Sequence, residues 1–185
     1  MEILNGKKPL LRAFPFLLLT LVILVTPGNT IGQEQDEYAV KAAFIFNFSK
    51  FAEWPQTAGS GDFEICILGE NPFDANIDKL TRGKSANGRP IRVRRIKEPA
   101  DAKSCQIAFV TSAERVKAVK LLEVVRGTTV LTVGEKLDFL RMGGMIALPM
   151  EDSHVAIVIN TGAIQSAGIK VSAKLLTLAR IYKND

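Results

Sequence analysis

The chain has 185 residues, 47% of them hydrophobic, and a formal net charge of +5. That length and apolar content fit one domain with a real core and exclude a disordered chain. Lys7, Lys8 and Arg12 supply much of the positive balance from one short stretch, so the charge is poor grounds for a nucleic-acid partner, and none is expected.

Residues 1–32 read as a targeting segment. The three early basic residues precede an apolar run from Ala13 to Val25, too short for a comfortable bilayer span. Pro27 and Gly28 break the run, and Thr30-Ile31-Gly32 offers small residues for cleavage. The expectation is a secretory signal peptide over 1–32, removed to leave a mature domain of residues 33–185 in the periplasm.

From Asp36 to Trp54 the pattern predicts one long helix. Asp36 suits the N-cap, Glu37 suits the first turn, and Pro55 cannot continue the helix. Val40, Phe44, Phe48 and Phe51 form a stripe at helical spacing, with Lys41, Lys50 and Glu53 on the wet side. Phe44, Phe48 and Phe51 are the expected core anchors. The aromatic end near Trp54 is also a candidate partner surface.

A polar turn, Gln56 to Asp62, leads to a buried strand, Phe63 to Leu68. Asn71 and Pro72 suit the N-cap and first position of a short helix through Leu80. A Gly- and Ser-containing loop reaches Gly88, and Arg89 to Lys97 reads as a strand. Ile91 and Val93 face one way along it, Arg92 and Arg94 the other. Charge at such positions protects a sheet edge, and a partner-binding patch is the second reading of Arg92 and Arg94. Cys105 to Thr111 is another buried strand. Ser112 is read as the cap of a helix over 113–126, with Val116, Val119 and Leu122 to Val125 inward and Gly127 ending it. Thr128 to Val133 is a third buried strand, followed by a short helix through Leu140 and a turn at Gly143-Gly144. Met145 to Met150 and Val155 to Asn160 form a hairpin. A helix from Thr161 to Ala167 stops at Gly168, and Ser172 caps a last helix whose apolar side holds Leu175, Leu176, Leu178, Ala179 and Tyr182.

Strands alternating with helices imply an α/β fold: a single three-layer domain, mostly parallel in its sheet, with a C-terminal antiparallel hairpin and helices on both faces. Two cysteines, Cys66 and Cys105, lie in the exported part. An even count in an oxidising compartment argues for a disulfide, and two buried thiols are the alternative. The spacing of these cysteines and of the single histidine, His154, does not match a zinc site.

Little in the chain resembles catalytic machinery. Asp152-Ser153-His154 has the letters of a triad, but adjacent hairpin residues cannot aim at one another as a triad requires. Neither a dinucleotide fingerprint nor a phosphate loop is present, so no cofactor is expected. The crevice beyond Leu68 is where an α/β sheet could hold a ligand, although Asp74 there disfavours an anion.

The run Tyr38-Ala-Val-Lys-Ala-Ala-Phe-Ile-Phe-Asn-Phe-Ser-Lys-Phe-Ala-Glu-Trp-Pro55 resembles the signature of the YfiR family. The blocks Ile65–Phe73, Gly88–Arg95, Gly143–Ile146 and Ile159–Asn160 with Ala167–Arg180 agree in order. The resemblance implies a periplasmic, non-enzymatic signalling protein that acts by protein–protein interaction. Such a protein binds the sensor region of a YfiN-like inner-membrane diguanylate cyclase, keeps cyclic-di-GMP low and so affects biofilm. It further implies a YfiB-like outer-membrane lipoprotein as a second partner, a homodimer, and a disulfide joining the positions of Cys66 and Cys105. The competing expectation is a periplasmic small-ligand binding module without a cyclase partner.

Overall fold

The computed structural model describes residues 30–55 and 61–183. The expected leader lies outside the described residues except for its last three positions, and the turn from Gln56 to Ser60 lies outside them too.

Helix α1 spans Thr30–Phe51. It begins earlier than Asp36, which lies inside it rather than capping it, and it ends before Trp54. Its end is set by pairing: Ala52–Glu53 leaves the helix as strand β1 and pairs antiparallel with β11, Lys170–Val171. The Ser172 N–H donates to the Phe51 carbonyl at 2.8 Å and secures this junction. The chain is therefore extended before Pro55 has any effect.

Strand β2 is Phe63–Leu68, α2 is Asn76–Thr81, β3 is Ser85–Ala86 and β4 is Arg89–Ile96. A 3-10 turn, Pro99–Ser104, leads to β5, Ile107–Val110. Then come α3 (Arg115–Val124), β6 (Leu131–Gly134), α4 (Leu137–Arg141), β7 (Ile146–Ala147), β8 (Met150–Glu151) and β9 (His154–Val155). The chain finishes with β10 (Val158–Ile159), α5 (Thr161–Ser166), β11, α6 (Ala173–Leu178) and β12 (Arg180–Ile181).

The main sheet has eight strands in the order β12-β10-β7-β6-β5-β2-β4-β3. Strands β4, β2, β5, β6 and β7 run parallel to one another, while β10 pairs antiparallel with β7 and β3 antiparallel with β4. This is the expected mostly parallel α/β domain with an antiparallel C-terminal portion. Strand alternation sorts the core into two layers. Ile65, Ile67, Ile107, Phe109, Leu131 and Val133 face α1, Ile77 of α2, Ile164 of α5 and Leu175 of α6. Cys66, Leu68, Ala108 and Val110 face Ala118 and Leu121 of α3, the 3-10 turn and Phe139 of α4. Helices thus cover both faces, as parallel strands require.

The inner face of α1 is rotated from the expected stripe. Ala42, Ile45, Phe48 and Ser49 are buried; Phe44 and Phe51 are half-buried and Val40 is exposed. Lys41, expected on the wet side, is only 2% exposed because it has acidic partners inside. Lys50 and Glu53 are exposed, as expected.

Other boundaries move for local reasons. Asn71 does not cap a helix at Pro72: its side chain accepts from the Phe73 N–H and donates to the Asp74 carbonyl, closing a turn before α2. The loop before Gly88 contains a hairpin, β3–β4, whose Asn87-Gly88 turn has φ of 51° and 74°. Ser112 does not cap α3 through its side chain; a 3-10 turn, Ser112–Glu114, precedes the helix. Its tighter winding shifts the inner face. Ala118, Leu121 and Val125 are buried, whereas Val116 and Val119, expected inside, are exposed. The third strand starts at Leu131 rather than Thr128. Of the last helix's expected apolar side, Leu175 is buried and Leu178 is exposed, and Tyr182 lies beyond β12, a strand not anticipated. The Asn160 and Ser172 side chains cap α5 and α6. The Gly143-Gly144 turn lets the Phe139 ring approach the backbone so closely that a Cβ on Gly144 would overlap it.

Cys66 of β2 and Cys105 before β5 are joined by a disulfide, with Cα atoms 6.0 Å apart and a sequence separation of 39. Both are buried in the α3 layer. Closing a loop of that size is worth up to about 4 kcal/mol on a chain-entropy basis. Reduction should therefore lower Tm by many degrees, and mass spectrometry of the unreduced protein should find no free thiol. Two alkylatable cysteines in native protein would contradict the bond.

Candidate functional site: an acidic crevice over a buried ion network

Strand β2 leads to β4 on one side, and the chain then returns to β5 on the other. The carboxyl ends of β2 and β5 therefore part at a reversal of strand order, the place where open α/β sheets form a crevice. Here the crevice is about 440 Å³ and is lined by Glu34, Tyr38, Glu70, Asp74, Thr111 and Glu135, among others.

Each wall follows from local chain behaviour. After Leu68, Gly69 turns at a φ of 87°, and the Asn71 turn places Glu70 and Asp74 at the rim. Thr111 and Ser112 continue directly from β5, and Glu135 from β6. The first turns of α1 bring Glu34 and Tyr38 over the opening.

The floor is a buried ion network. Lys41 Nζ donates to Glu135 Oε1 at 2.6 Å and also pairs with Glu37, one helical turn away. The Ser112 N–H donates to Glu135 Oε2 at 2.6 Å. Lys41 lies 4.7 Å from the centre of the Tyr38 ring, which packs edge-on against Phe73 at 5.8 Å. Burial pushes the Glu135 carboxyl up, but donation from Lys41, the Ser112 N–H and Tyr38 outweighs it, and the net shift is downward. Burial first, then the charge of Glu135, pushes the Tyr38 phenol well above its ordinary value. Tyr38 is therefore a fixed donor at neutral pH. Glu34, Glu70 and Asp74 form no ion pair among the described residues, so the rim is negative. The Thr111 hydroxyl is buried and has no hydrogen-bond partner there.

The residues singled out from sequence do not converge on one surface. Trp54 is half-buried on the α1 side, edge-on to Phe63 at 4.9 Å, with its indole N–H unpartnered. Arg92 and Arg94 lie on the opposite face, the side of Ile96 and the disulfide. Arg92 pairs with Asp62 at 2.6 Å; Arg94 pairs with Glu64 and donates to Ser104. Beyond its short pairing with β3, β4 has no further strand on that side among the described residues. Phe48 is fully buried. His154 opens β9, directly after the Asp152-Ser153 turn, with Nδ1 3.2 Å from the Asp152 carbonyl. Sequence reading misses the Lys41–Glu135–Tyr38 group. The available signals are a lysine within an apolar helix face and an acid directly after a β-branched strand.

Fold and crevice together define a mostly parallel α/β domain open at the carboxyl ends of its central strands. Residues 38–180 match the YfiR/HmsC-like family, and the chain belongs to it. No curated protein matches it. Among solved structures, the ABC domain in complex with L-Trp from Streptococcus pneumonia is similar in fold, with a TM-score of 0.51 and 10% identity over 81% of this chain. A conserved domain protein from Vibrio cholerae O1 biovar El Tor has a TM-score of 0.47 and 12% identity over 65% of this chain. The chain spans 60% and 54% of the lengths of those two structures. Among the described residues no helix is long and apolar enough to cross a membrane.

Proposed function

We propose that this protein is a non-enzymatic periplasmic regulator that binds the sensor region of an inner-membrane diguanylate cyclase and holds the cyclase inactive. The observation that carries this reading is the family match across residues 38–180. A binding protein of this kind works by population shift: it must prefer the inactive state of its partner, because equal affinity for both states changes nothing. Export through the 1–32 leader, assembly as a homodimer and release by a YfiB-like outer-membrane lipoprotein belong to the same proposal.

Deleting the gene should raise cyclic-di-GMP, and a pull-down from solubilised inner membrane should recover a cyclase. Unchanged nucleotide and biofilm levels would count against repression. Arg92 and Arg94 serve first to protect the β4 edge. In an Arg92→Glu, Arg94→Glu variant that stays folded, association should slow and become more sensitive to salt, with complex still forming. Complete loss of binding at high salt would instead make this face the main docking site.

A ligand-binding role is the second reading. The observation favouring it is the crevice at the strand-order reversal with an unpartnered buried hydroxyl in its wall.

A further inference from the structure

We propose that the crevice between the ends of β2 and β5 binds a small organic cation carrying more than one ammonium group, a di- or polyamine. This rests on the ligand-binding reading of the crevice and is independent of any cyclase.

Three observations converge. First, the rim charge is of one sign. Glu34, Glu70 and Asp74 line the opening, and no Lys or Arg is among the described lining residues. Lys41, in the floor, is 2% exposed and already shared between Glu37 and Glu135, and Arg115 and Lys136 line the adjoining pocket on the α3 side rather than this one. The crevice thus has unneutralised negative charge that a cation would balance.

Second, the wall contains a polar group with nothing to bond. Thr111 is 8% exposed, and its Oγ1 lacks a hydrogen-bond partner. Strand alternation from Phe109 directs this side chain to the α1 side, where the crevice lies. A buried hydroxyl without a partner is costly, and a ligand N–H is the kind of group that would relieve it. Tyr38, by contrast, is committed to Glu135.

Third, the carboxylates are spread out. Among the described residues, the set of three or more acidic, His and Cys side chains whose ligand atoms gather within 4.8 Å is Glu64, Cys66 and Cys105, and none of these lines the crevice. A compact metal ion needs its ligands gathered around one point. Carboxylates around a space of about 440 Å³ instead suit several ammonium groups held apart by methylenes. Tyr38 and Pro72 supply apolar surface for those methylenes.

The test is calorimetric titration of the purified protein with spermidine at low ionic strength. Saturable binding is expected, weakening as salt is raised. A Glu70→Gln, Asp74→Asn variant should lose roughly five- to tenfold in affinity, as two exposed ion pairs suggest. Thr111→Val, which keeps the shape and removes the hydroxyl, should lose roughly threefold or more. Glu123→Gln, on α3, should bind like the parent. An absence of saturable binding would overturn the proposal. So would equal loss in the Glu123 variant, which would mean diffuse charge attraction, or calcium displacing spermidine at equal concentration, which would mean a divalent-metal site. Each of these results leaves the cyclase pull-down unaffected, so failure here and failure of the regulatory reading are distinguishable.

Discussion

Replacing Lys41 with Met is expected to destabilise the protein by about 3 to 5 kcal/mol, the usual cost of removing one partner of a buried ion pair. The cost comes from what is left behind. Glu135 stays buried next to the hydrophobic layer, held by the Ser112 N–H and the Tyr38 hydroxyl but without its cation. Adding Glu135→Gln should recover much of the loss, because the second change removes the uncompensated charge. A double-mutant cycle in urea would measure this coupling. The pH dependence gives a separate check. In the parent, the folded Glu135 carboxyl lies below its unfolded value of about 4.3. Its stabilisation is therefore fully present above that value and is lost as pH falls through the folded pKa. In Lys41→Met the largest remaining influence is burial, which pushes the carboxyl up. The gap between variant and parent should thus narrow as pH falls from about 7 to about 4. A gap that stays constant, or a variant with the parent's urea midpoint, would show that Lys41 and Glu135 are not coupled.

How far this arrangement is legible in the chain depends on the range of the interactions. The central strands are legible because their signal is local: continuous apolar runs at Phe63–Leu68 and Cys105–Thr111 suit strands covered on both faces. The helix after Asn160, the Ser172 cap and the β8–β9 hairpin follow from turn and cap chemistry within a few residues. Long-range pairing is not legible. The end of α1 is set by β11, near the far end of the chain, and nothing around Ala52 announces it. Lys41 reads as solvent-facing because a lone lysine in a helix belongs there unless acids meet it. The acid that meets it inside, Glu135, follows a different strand at a sequence separation of 94, and no local pattern links the two. The crevice beyond Leu68 is anticipated from the general behaviour of α/β sheets. Its far wall, at Thr111 and Glu135, requires the strand order, which periodicity does not contain.

Phe48→Ala should cost roughly 3 to 5 kcal/mol, from lost transfer energy together with the cavity left behind. Phe48 is fully buried on the face of α1 that meets the central strands, in the same layer as Ile65, Phe109 and Leu131. Because these neighbours belong to strands fixed by parallel pairing, they cannot close around a missing ring without disturbing the sheet. A domain of this size is held by roughly 5 to 15 kcal/mol, so the variant should accumulate poorly in the cell. Lys50→Ala makes the matched control. Lys50 is exposed on the same helix and lies 4.2 Å from the centre of the Phe46 ring, a cation–π contact of modest value at an exposed site. Its removal should change stability by about half a kcal/mol to one. Urea denaturation of the two variants against the parent measures the difference between them. If Phe48→Ala unfolded at the parent's midpoint while Lys50→Ala did not, α1 would have to pack by its other face. Its aromatic side would then be free to meet a partner.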